Sequence, residues 1–316
     1  MTQRYPVKTH TLANNLKLVD LAPPISGFKD FFGAYVLEAR EVALIDVGPA
    51  VCVENLLSGL TELNINLEDV SYIIATHIHL DHAGGIGQAI KQMPKAKVIV
   101  HERGRRHLID PARLWQESQR VLGNLALKYG PPEPVPQDRI IVAKEGELLD
   151  LGEMEIEVLD TPGHASHHLS FVDRQEGRLF TGDAAGIYIR GLTMPDTVHP
   201  FNLEQTLTSL DKLIRLGATT LYYAHFGYAD HATDRLRCYK QQLVSWGKVI
   251  ADCLEKEAGW QEIYDELRGK DSALAQIDDL PASERRRGHY LVKNSIMGFI
   301  SYFQRYGTEY IKQCNP

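Results

Sequence analysis

The chain has 316 residues, of which 44% are hydrophobic and 24% charged, and this composition is that of an ordinary globular protein. It excludes a disordered, collagen-like or coiled-coil chain. The formal net charge of −7 disfavours a protein that works mainly by binding nucleic acid or an anionic membrane. No apolar run approaches the ~20 residues that span a bilayer. The first fifteen residues contain no apolar signal core, so we expect a cytoplasmic protein with no membrane partner.

The first half of the chain alternates strand and helix patterns. Residues 33–48 predict a hairpin, and a helix follows over about 53–63. The β-branched run VSYIIAT at 70–76 is typical of a strand covered on both faces. A helix over about 85–93 leads to a strand at 97–100. Residues 102–139 predict a surface insertion near a site, with helices around 104–109 and 112–128.

The second half repeats the alternation of strand and helix patterns, and the pattern then becomes entirely helical. Strands are predicted at 154–160, 168–173, 178–183 and 219–225, with a helix over 201–216. Two such blocks indicate two packed halves of mixed α/β type. From residue 234 the pattern is helical to the end, including a long packed helix over 289–307. We therefore expect one domain over residues 1–233, with residues 234–316 as a helical extension packed on it.

A cluster of metal-ligand residues follows the predicted strand at 70–76. The sequence THIHLDHAGG places three histidines and one aspartate within six positions: His77, His79, Asp81 and His82. Imidazole nitrogen and carboxylate oxygen suit zinc, iron or manganese. Residues i and i+2 of an extended chain point the same way, so His77 and His79 can reach one metal as a pair. Asp81 and His82 lie where the chain turns into a helix, placed for a second position beside it.

Further ligands are expected at other strand ends, because six consecutive residues cannot surround two metals. Three donor residues each follow an apolar run: His164 in DTPGH, Asp183 in LFTGDA and His225 in LYYAHFG. Each signal is weak by itself, since a polar residue after a strand is common. Together with the first cluster they predict one metal centre at a sheet edge.

The ordered ligand set resembles the metallo-β-lactamase superfamily, over roughly residues 28–230. The resemblance implies an α/β (α+β) fold, the four-layer αββα sandwich, with a dinuclear site at one edge of the two sheets. The motif LIDVG at 44–48 resembles the family's early strand–turn motif, which would make Asp46 a partner that orients a ligand histidine. By the family pattern, one metal would take His77, His79 and His164, the other would take Asp81, His82 and His225, and Asp183 would bridge both.

Comparison with the branches of this superfamily narrows the function. The bridging residue Asp183 disfavours a true β-lactamase, because the zinc β-lactamases lack it. Glyoxalase II shares the T-H-x-H-x-D-H string and a helical C-terminal extension. Lactonases of this superfamily carry a tyrosine shortly after the bridging aspartate; here Tyr188 arrives late, so a lactonase stays an open alternative.

The implied activity is metal-dependent hydrolysis of a small ester, lactone or thioester. Two divalent ions, zinc first with iron or manganese as alternatives, would share a hydroxide that attacks the carbonyl carbon. Asp81 would orient the nucleophile or move its proton, and Tyr188 would donate to the oxyanion. Two alternatives stay open: a mononuclear iron oxidoreductase resembling persulfide dioxygenases, and a nucleic-acid phosphodiesterase. The expected partner is a small-molecule substrate rather than nucleic acid, and a homodimer is an open alternative for the assembly.

Several other residues receive structural interpretations. Four single cysteines without a C-x-x-C pair predict reduced thiols. Residues 285–287, a run of three arginines, are expected on a solvated helix face. For His167 and His168 a role at the start of a strand is favoured, with a position for one of them behind the metal ligands as the alternative. Six aromatic residues are candidates for core packing or for an apolar pocket: Trp115, Tyr129, Trp246, Phe299, Phe303 and Tyr306.

Overall fold

The computed structural model describes residues 7–314, and two mixed sheets form the centre of the molecule. The first sheet has seven strands in chain order: β1 (Lys8–Ala13), β2 (Leu16–Asp20), β3 (Gly33–Glu38), β4 (Val42–Ile45), β5 (Val70–Ile74), β6 (Lys97–His101) and β7 (Ile140–Ala143). Its first four strands pair antiparallel, and β4 to β7 run parallel.

The second sheet has six strands, and a two-stranded hairpin stands beside it. In chain order its strands are β8 (Leu148–Asp150), β9 (Glu155–Asp160), β10 (Leu169–Asp173), β11 (Arg178–Gly182), β14 (Thr220–Tyr223) and β15 (Gly227–Asp230), and the hairpin is β12 (Ile187–Ile189) with β13 (Leu192–Met194). Strands β9, β11 and β14 point the same way, because β10 is antiparallel to both of its neighbours and β14 is parallel to β11. Their carboxyl ends therefore meet at one edge.

Apolar side chains from the two sheets meet in a shared core. Leu37 and Ile74 from the first sheet are buried in one cluster with Val158 and Phe180 from the second. Tyr35 joins the same layer, with its ring edge against Phe180 and its hydroxyl donating to the carbonyl of Tyr223 at 2.7 Å. Burial on both faces explains the apolar runs of the central strands.

Helices cover the outer faces of this sandwich, as the sequence predicts. They are α1 (Val53–Glu62), α2 (Leu80–Ala83), α3 (Ile86–Ala89), α4 (Glu102–Ile109), α5 (Ala112–Leu122), α6 (Asn124–Tyr129), α7 (Leu203–Arg215), α8 (Ala232–Glu255), α9 (Trp260–Lys270), α10 (Ser272–Gln276), α11 (Ala282–Tyr306) and α12 (Glu309–Gln313). None of the helices within residues 7–314 is both long and apolar enough to cross a membrane.

The helices of the extension pack on the sandwich beside the predicted site. Helix α11 contacts α8 and α9, and its Ser295 hydroxyl donates to the carbonyl of Pro195 at 2.6 Å. Gly298 allows this close approach, since a Cβ there would lie 1.4 Å from the carbonyl oxygen of Thr197. The chain segment at 195–197 is thereby fixed against α11. The division of the chain at residue 233 stays a prediction.

Several boundaries differ from the sequence-based expectation. The helix predicted over 85–93 is shorter, since α3 spans only Ile86–Ala89, and a second short helix, α2, precedes Gly84 and Gly85. The helix predicted over 112–128 is broken at Gly123, whose φ of 56° is a glycine conformation. The long C-terminal helix begins at Ala282 rather than near residue 289. The strands β1, β2, β7 and β8 were not predicted, because polar residues interrupt the apolar pattern of β1 and β2, and β7 and β8 are only four and three residues long.

Candidate metal centre

The predicted ligand residues converge at the edge where parallel strands end. His77 and His79 follow β5, and Asp81 and His82 lie in the short helix α2. The remaining three stand after three strands of the second sheet: His164 after β9, Asp183 after β11 and His225 after β14. The fold thus brings together seven side chains that lie up to 148 positions apart in the sequence.

Asp183 occupies the centre of this group. Its Oδ2 lies 3.1 Å from Nε2 of His82, 3.5 Å from Nε2 of His164 and 3.7 Å from Nε2 of His77. Its Oδ1 lies 3.5 Å from Nε2 of His225. One carboxylate therefore faces imidazoles from both halves of the sandwich.

The ligand atoms form overlapping groups of the size that a metal ion requires. The atoms within each group lie within 4.8 Å of one another, and the groups are His77, His79 and His164; His77, His82 and Asp183; Asp81, His82 and His225; and His164, Asp183 and Asp196. His79 Nδ1 lies 3.0 Å from His164 Nε2, and Asp81 Oδ2 lies 3.8 Å from His225 Nε2. The groups share His77, His82, His164 and Asp183, so any of several neighbouring points in the cluster offers three donors to a metal ion.

The burial of these groups fits a bound cation. His77, His82 and Asp183 are at most 2% exposed. Nε2 of both histidines and Oδ1 of Asp183 are buried without a hydrogen-bond partner among the described residues. Such groups cost free energy unless something satisfies them. A nitrogen and carboxylate donor set around one point would be satisfied by zinc, iron or manganese.

The pKa values of the group divide its histidines into two pairs. Burial lowers the pKa of His77 and of His79 well below its ordinary value, so their imidazoles are neutral. Burial also acts to lower the pKa of His82 and of His225, but the neighbouring Asp183 raises both above the ordinary value. Burial acts to raise the pKa of Asp183 itself, but His82 and His225 hold it well below its usual range. The group therefore holds an ionised carboxylate beside two neutral nitrogen donors and two imidazoles that would release a proton on binding a metal.

Residues behind the cluster orient its members. Oδ1 of Asp46 accepts a hydrogen bond from the backbone nitrogen of Thr76 at 2.9 Å, and Oδ2 lies 2.9 Å from Nδ1 of His82. Nε2 of His168 accepts from the backbone nitrogen of Asp183 at 3.0 Å. His168 therefore positions the central aspartate from behind the ligands, which is the alternative that the sequence left open for one of the two histidines at 167 and 168.

Asp196 is a residue of the site that sequence reasoning missed. It follows β13, it is 8% exposed, and its carbonyl oxygen lies 3.1 Å from Nδ1 of His164. Its carboxylate Oδ2 lies 3.6 Å from the same nitrogen. Burial raises the pKa of Asp196 to about 6, although the neighbouring His164 lowers it. Asp196 follows the hairpin β12–β13, whose strands have three residues each. Strands this short show no clear sequence pattern, so the hairpin and the position of Asp196 were not predicted.

The side chain of Tyr188 lies outside the cavity lining, although its backbone nitrogen donates to the carbonyl of His225 at 3.1 Å. The ring of Tyr188 stacks on the ring of Tyr223, with centroids 4.7 Å apart. The guanidinium carbon of Arg235 lies over the Tyr188 ring, 5.8 Å from its centroid. Tyr188 does not line the cavity above the cluster, although its neighbour Ile187 does. The geometry does not support the expected contact between Tyr188 and an oxyanion, because alternate residues of a strand face opposite sides.

A cavity of about 390 Å³ opens above the cluster. Asp81, Asp183 and His225 belong to its floor, and the buried ring of Tyr129 belongs to its wall. Helices α5 and α6 form one side, and α11 forms another. A volume at the lower end of the usual range for ligand pockets indicates a small ligand.

A family model described as the metallo-beta-lactamase superfamily matches residues 34–225. The chain therefore belongs to this superfamily, as its ligand motif predicts. A metallo-beta-lactamase fold-containing protein of Sulfurisphaera tokodaii is 34% identical over 202 residues, which cover 60% of this chain and 76% of that protein.

Two further relatives extend the comparison. A metallo-beta-lactamase family protein of Thermus thermophilus superimposes with a TM-score of 0.68 at 25% identity, covering 94% of this chain and 95% of its own. That coverage cannot be confined to residues 1–233, so it includes helices of the extension. A hydroxyacylglutathione hydrolase of Vibrio cholerae is 28% identical over 189 residues, covering 60% of this chain and 58% of that protein.

Proposed function

We propose that this protein is a metal-dependent hydrolase that cleaves a small ester, lactone or thioester. The observation that carries the proposal is the convergence of six donor side chains around Asp183 at the floor of a small cavity. The Vibrio cholerae relative is named as a hydrolase of an acylated glutathione, which agrees with this class of reaction.

The residues would hold two ions in the pattern of the family. His77, His79 and His164 would bind one, and Asp81, His82 and His225 would bind the other, with Asp183 shared between them. Bound divalent ions supply a Lewis acid for the carbonyl oxygen and lower the pKa of water towards ~7. Zinc is the first expectation, with iron or manganese as alternatives.

Asp81 is the residue that we assign to proton transfer. Its side chain is 23% exposed, whereas those of His82, Asp183 and His225 are at most 3% exposed, so its carboxylate faces the cavity. In the reaction water adds its oxygen to the acyl carbon, and the bond from that carbon to the leaving oxygen or sulfur breaks. Oδ2 of Asp81 would accept a proton from the attacking water and return it to the leaving group.

The cavity walls would exclude bulk water from this reaction. The rings of Phe28, Phe31 and Tyr129 are buried at the side of the floor, and Phe28 contacts both Phe31 and Tyr129 edge-on. Apolar walls strengthen electrostatic interactions inside the site. They also limit the substrate to a small molecule.

The test combines metal analysis with a substrate panel. The purified protein is analysed for metals by mass spectrometry and assayed with lactones, thioesters, carboxylic esters and phosphodiesters, before and after treatment with EDTA. We expect two metals per chain, turnover of a carboxylic ester, lactone or thioester, loss of that turnover with EDTA, and recovery with zinc or manganese. Unchanged turnover after complete removal of metal would contradict the proposal. One iron per chain with oxygen consumption would favour the oxidoreductase alternative, and turnover of phosphodiesters alone would favour a nuclease.

A further inference from the structure

The mouth of the cavity carries positive charge in a chain that is acidic as a whole. Residues 102–139 contain seven lysines and arginines and five aspartates and glutamates, a net charge of +2 within a chain of −7. These residues include α4, α5 and α6, and residues of all three helices line the cavity. A local field of opposite sign to the whole protein favours an anion at this position.

Two guanidinium groups at the mouth have no carboxylate partner. Arg106, Arg113 and Arg120 all line the cavity, and Glu117 is the acidic residue of the helices α4–α6 that lines it. Glu117 forms its ion pair with Arg120. Arg106 donates from Nε to Nε2 of His107 at 3.1 Å, and no ion pair joins Arg106 or Arg113 to a carboxylate within residues 7–314. Both are exposed, so their donors point towards solvent or a ligand.

Part of the cavity lining is apolar. Helix α5 contains no fully buried residue, although its apolar residues cluster on one face. Leu114, Leu122 and Leu125 from the insertion line the cavity together with Leu291 from α11, and each is only partly buried. Partly exposed leucines in a cavity lining offer surface that the hydrocarbon part of a ligand would bury.

We infer that the substrate carries an anionic oxygen group, a carboxylate or a phosphate, joined to the scissile carbonyl by a short apolar segment. This inference rests on the proposed hydrolase function. The anion would bind Arg106 and Arg113, whose planar donor groups match carboxylate and phosphate oxygens. The apolar segment would lie against Leu114, Leu125 and Leu291, and the carbonyl would reach the floor at Asp81 and Asp183. A cavity of about 390 Å³ favours a small molecule over a polynucleotide as the source of the anion.

The first test compares substrates that differ only in the terminal charge. The S-phenyl thioester of adipic acid, with a free carboxylate at its far end, is compared with its neutral carboxamide and with an analogue ending in a phosphonate. We expect kcat/KM to be about tenfold or more higher for an anionic substrate than for the carboxamide, since a charge-assisted hydrogen bond has roughly that effect. A preference for either anion supports the inference, and equal kcat/KM for all three overturns it.

The second test removes the two guanidinium groups. For the double variant Arg106→Gln/Arg113→Gln we expect the ratio of kcat/KM for the anionic substrate to kcat/KM for the carboxamide to fall to near one. The value of kcat/KM for the carboxamide itself should stay within about twofold of the parent. The control is Arg105→Gln, which removes one positive charge from α4 at a residue that does not line the cavity. A double variant that keeps the full anionic preference would overturn the assignment, as would an equal loss in the control.

A binding measurement separates this inference from the proposed reaction. Calorimetry with the metal-loaded protein compares adipate with its monoamide, adipamate, because each offers one carboxylate to the metals and only adipate offers a second. We expect adipate to bind about tenfold more tightly, and the double variant to bind both equally. If no ester or thioester is hydrolysed but adipate is preferred, the proposed reaction fails and the anion site stands. Hydrolysis without any preference for adipate leaves the reaction in place and overturns the anion site.

Discussion

Oδ2 of Asp46 lies 2.9 Å from Nδ1 of His82, and both residues are at most 3% exposed. The same carboxylate accepts hydrogen bonds from the backbone nitrogen and the hydroxyl of Thr76. Asp46 adopts a φ of 57°, which turns its side chain from the end of β4 towards the neighbouring strand end. The contact holds a proton of His82 on Nδ1, so that Nε2, which lies 3.1 Å from Oδ2 of Asp183, is the nitrogen left for a metal ion.

The Asp46→Asn variant is therefore expected to bind metal more weakly without losing its fold. The amide keeps the size of the side chain but removes the charge that orients His82, and such a change costs roughly 10- to 100-fold in metal affinity. Competition with a fluorescent chelator measures the affinity. Asp138→Asn, at an exposed position, is the matched control and should bind metal like the parent. Parent-like affinity in Asp46→Asn would reject the orienting role.

Asp183→Ala is expected to lower the metal content below two ions per chain. Its carboxylate is the group that faces histidines of both proposed positions, at distances of 3.1 to 3.7 Å. Without it each position keeps three donors at most, and the repulsion between two cations is no longer offset. Mass spectrometry of the purified variant gives the stoichiometry, and two ions at full occupancy would exclude Asp183 as the bridge.

Tyr188→Phe is expected to keep kcat/KM within about twofold of the parent, whereas Asp81→Asn should lower it by roughly 10²- to 10⁴-fold. The hydroxyl of Tyr188 belongs to a ring that stacks on Tyr223 outside the cavity, and Asp81 lies at the cavity floor. Steady-state kinetics on the best substrate of the panel compares the two variants. A large loss in Tyr188→Phe would restore the sequence-based expectation that this tyrosine contacts the oxyanion.

The residues that sequence analysis brought together share a property: each stands at the end of a strand or in a dense local motif. His77 to His82 occupy six consecutive positions, and His164, Asp183 and His225 each follow an apolar run. Asp196 and Phe31 carry no such signal, because they lie in loops whose positions depend on packing between distant segments. Phe31 lies just before β3, and Arg287 of α11 lies over its ring. The same ring stacks on His225, with centroids 4.6 Å apart.

Arg287 shows the same limit of local patterns. A run of three arginines predicts a solvated helix face, but Arg287 is 4% exposed, so that interpretation was wrong for this residue. Its guanidinium lies 4.1 Å from the ring centroid of Phe31, and it donates from Nη1 to the carbonyl of Gly27. Burial lowers the pKa of Arg287 to about 10, so it stays charged at neutral pH. Arg287 is buried because α11 packs against the segment 27–31.

Arg287→Ala is therefore expected to lower the free energy of unfolding by about 1–3 kcal/mol, through loss of the cation–π contact and the hydrogen bond to Gly27. Arg286→Ala, one residue earlier and exposed, should change it by about 0.5 kcal/mol or less. Urea denaturation monitored by circular dichroism gives both values. Equal stabilities of the two variants would show that the stack of Arg287 on Phe31 contributes nothing measurable.

Asp20 is expected to make stability depend on pH. Burial raises the pKa of Asp20 from 3.8 to about 7, and the neighbouring Asp30 adds to the rise, although the backbone nitrogen of Ala22 donates to its Oδ1 at 3.0 Å. The folded chain therefore keeps this proton between pH 3.8 and about 7, where the unfolded chain has released it. Folding binds a proton in this interval, so the stability contributed by Asp20 falls as the pH rises through it.

Asp20→Asn removes this dependence, because the amide accepts the same backbone hydrogen bond and does not titrate. The free energy of unfolding of the variant minus that of the parent should increase from about pH 4 to about pH 8, by on the order of 2–4 kcal/mol. Urea titrations at intervals across that range measure the difference. Asp252→Asn, at an exposed position of α8, should give a difference that does not vary with pH. A constant difference for Asp20→Asn as well would mean that Asp20 is ionised in the folded protein throughout, with Lys8, 3.6 Å from Asp30, compensating the pair of carboxylates.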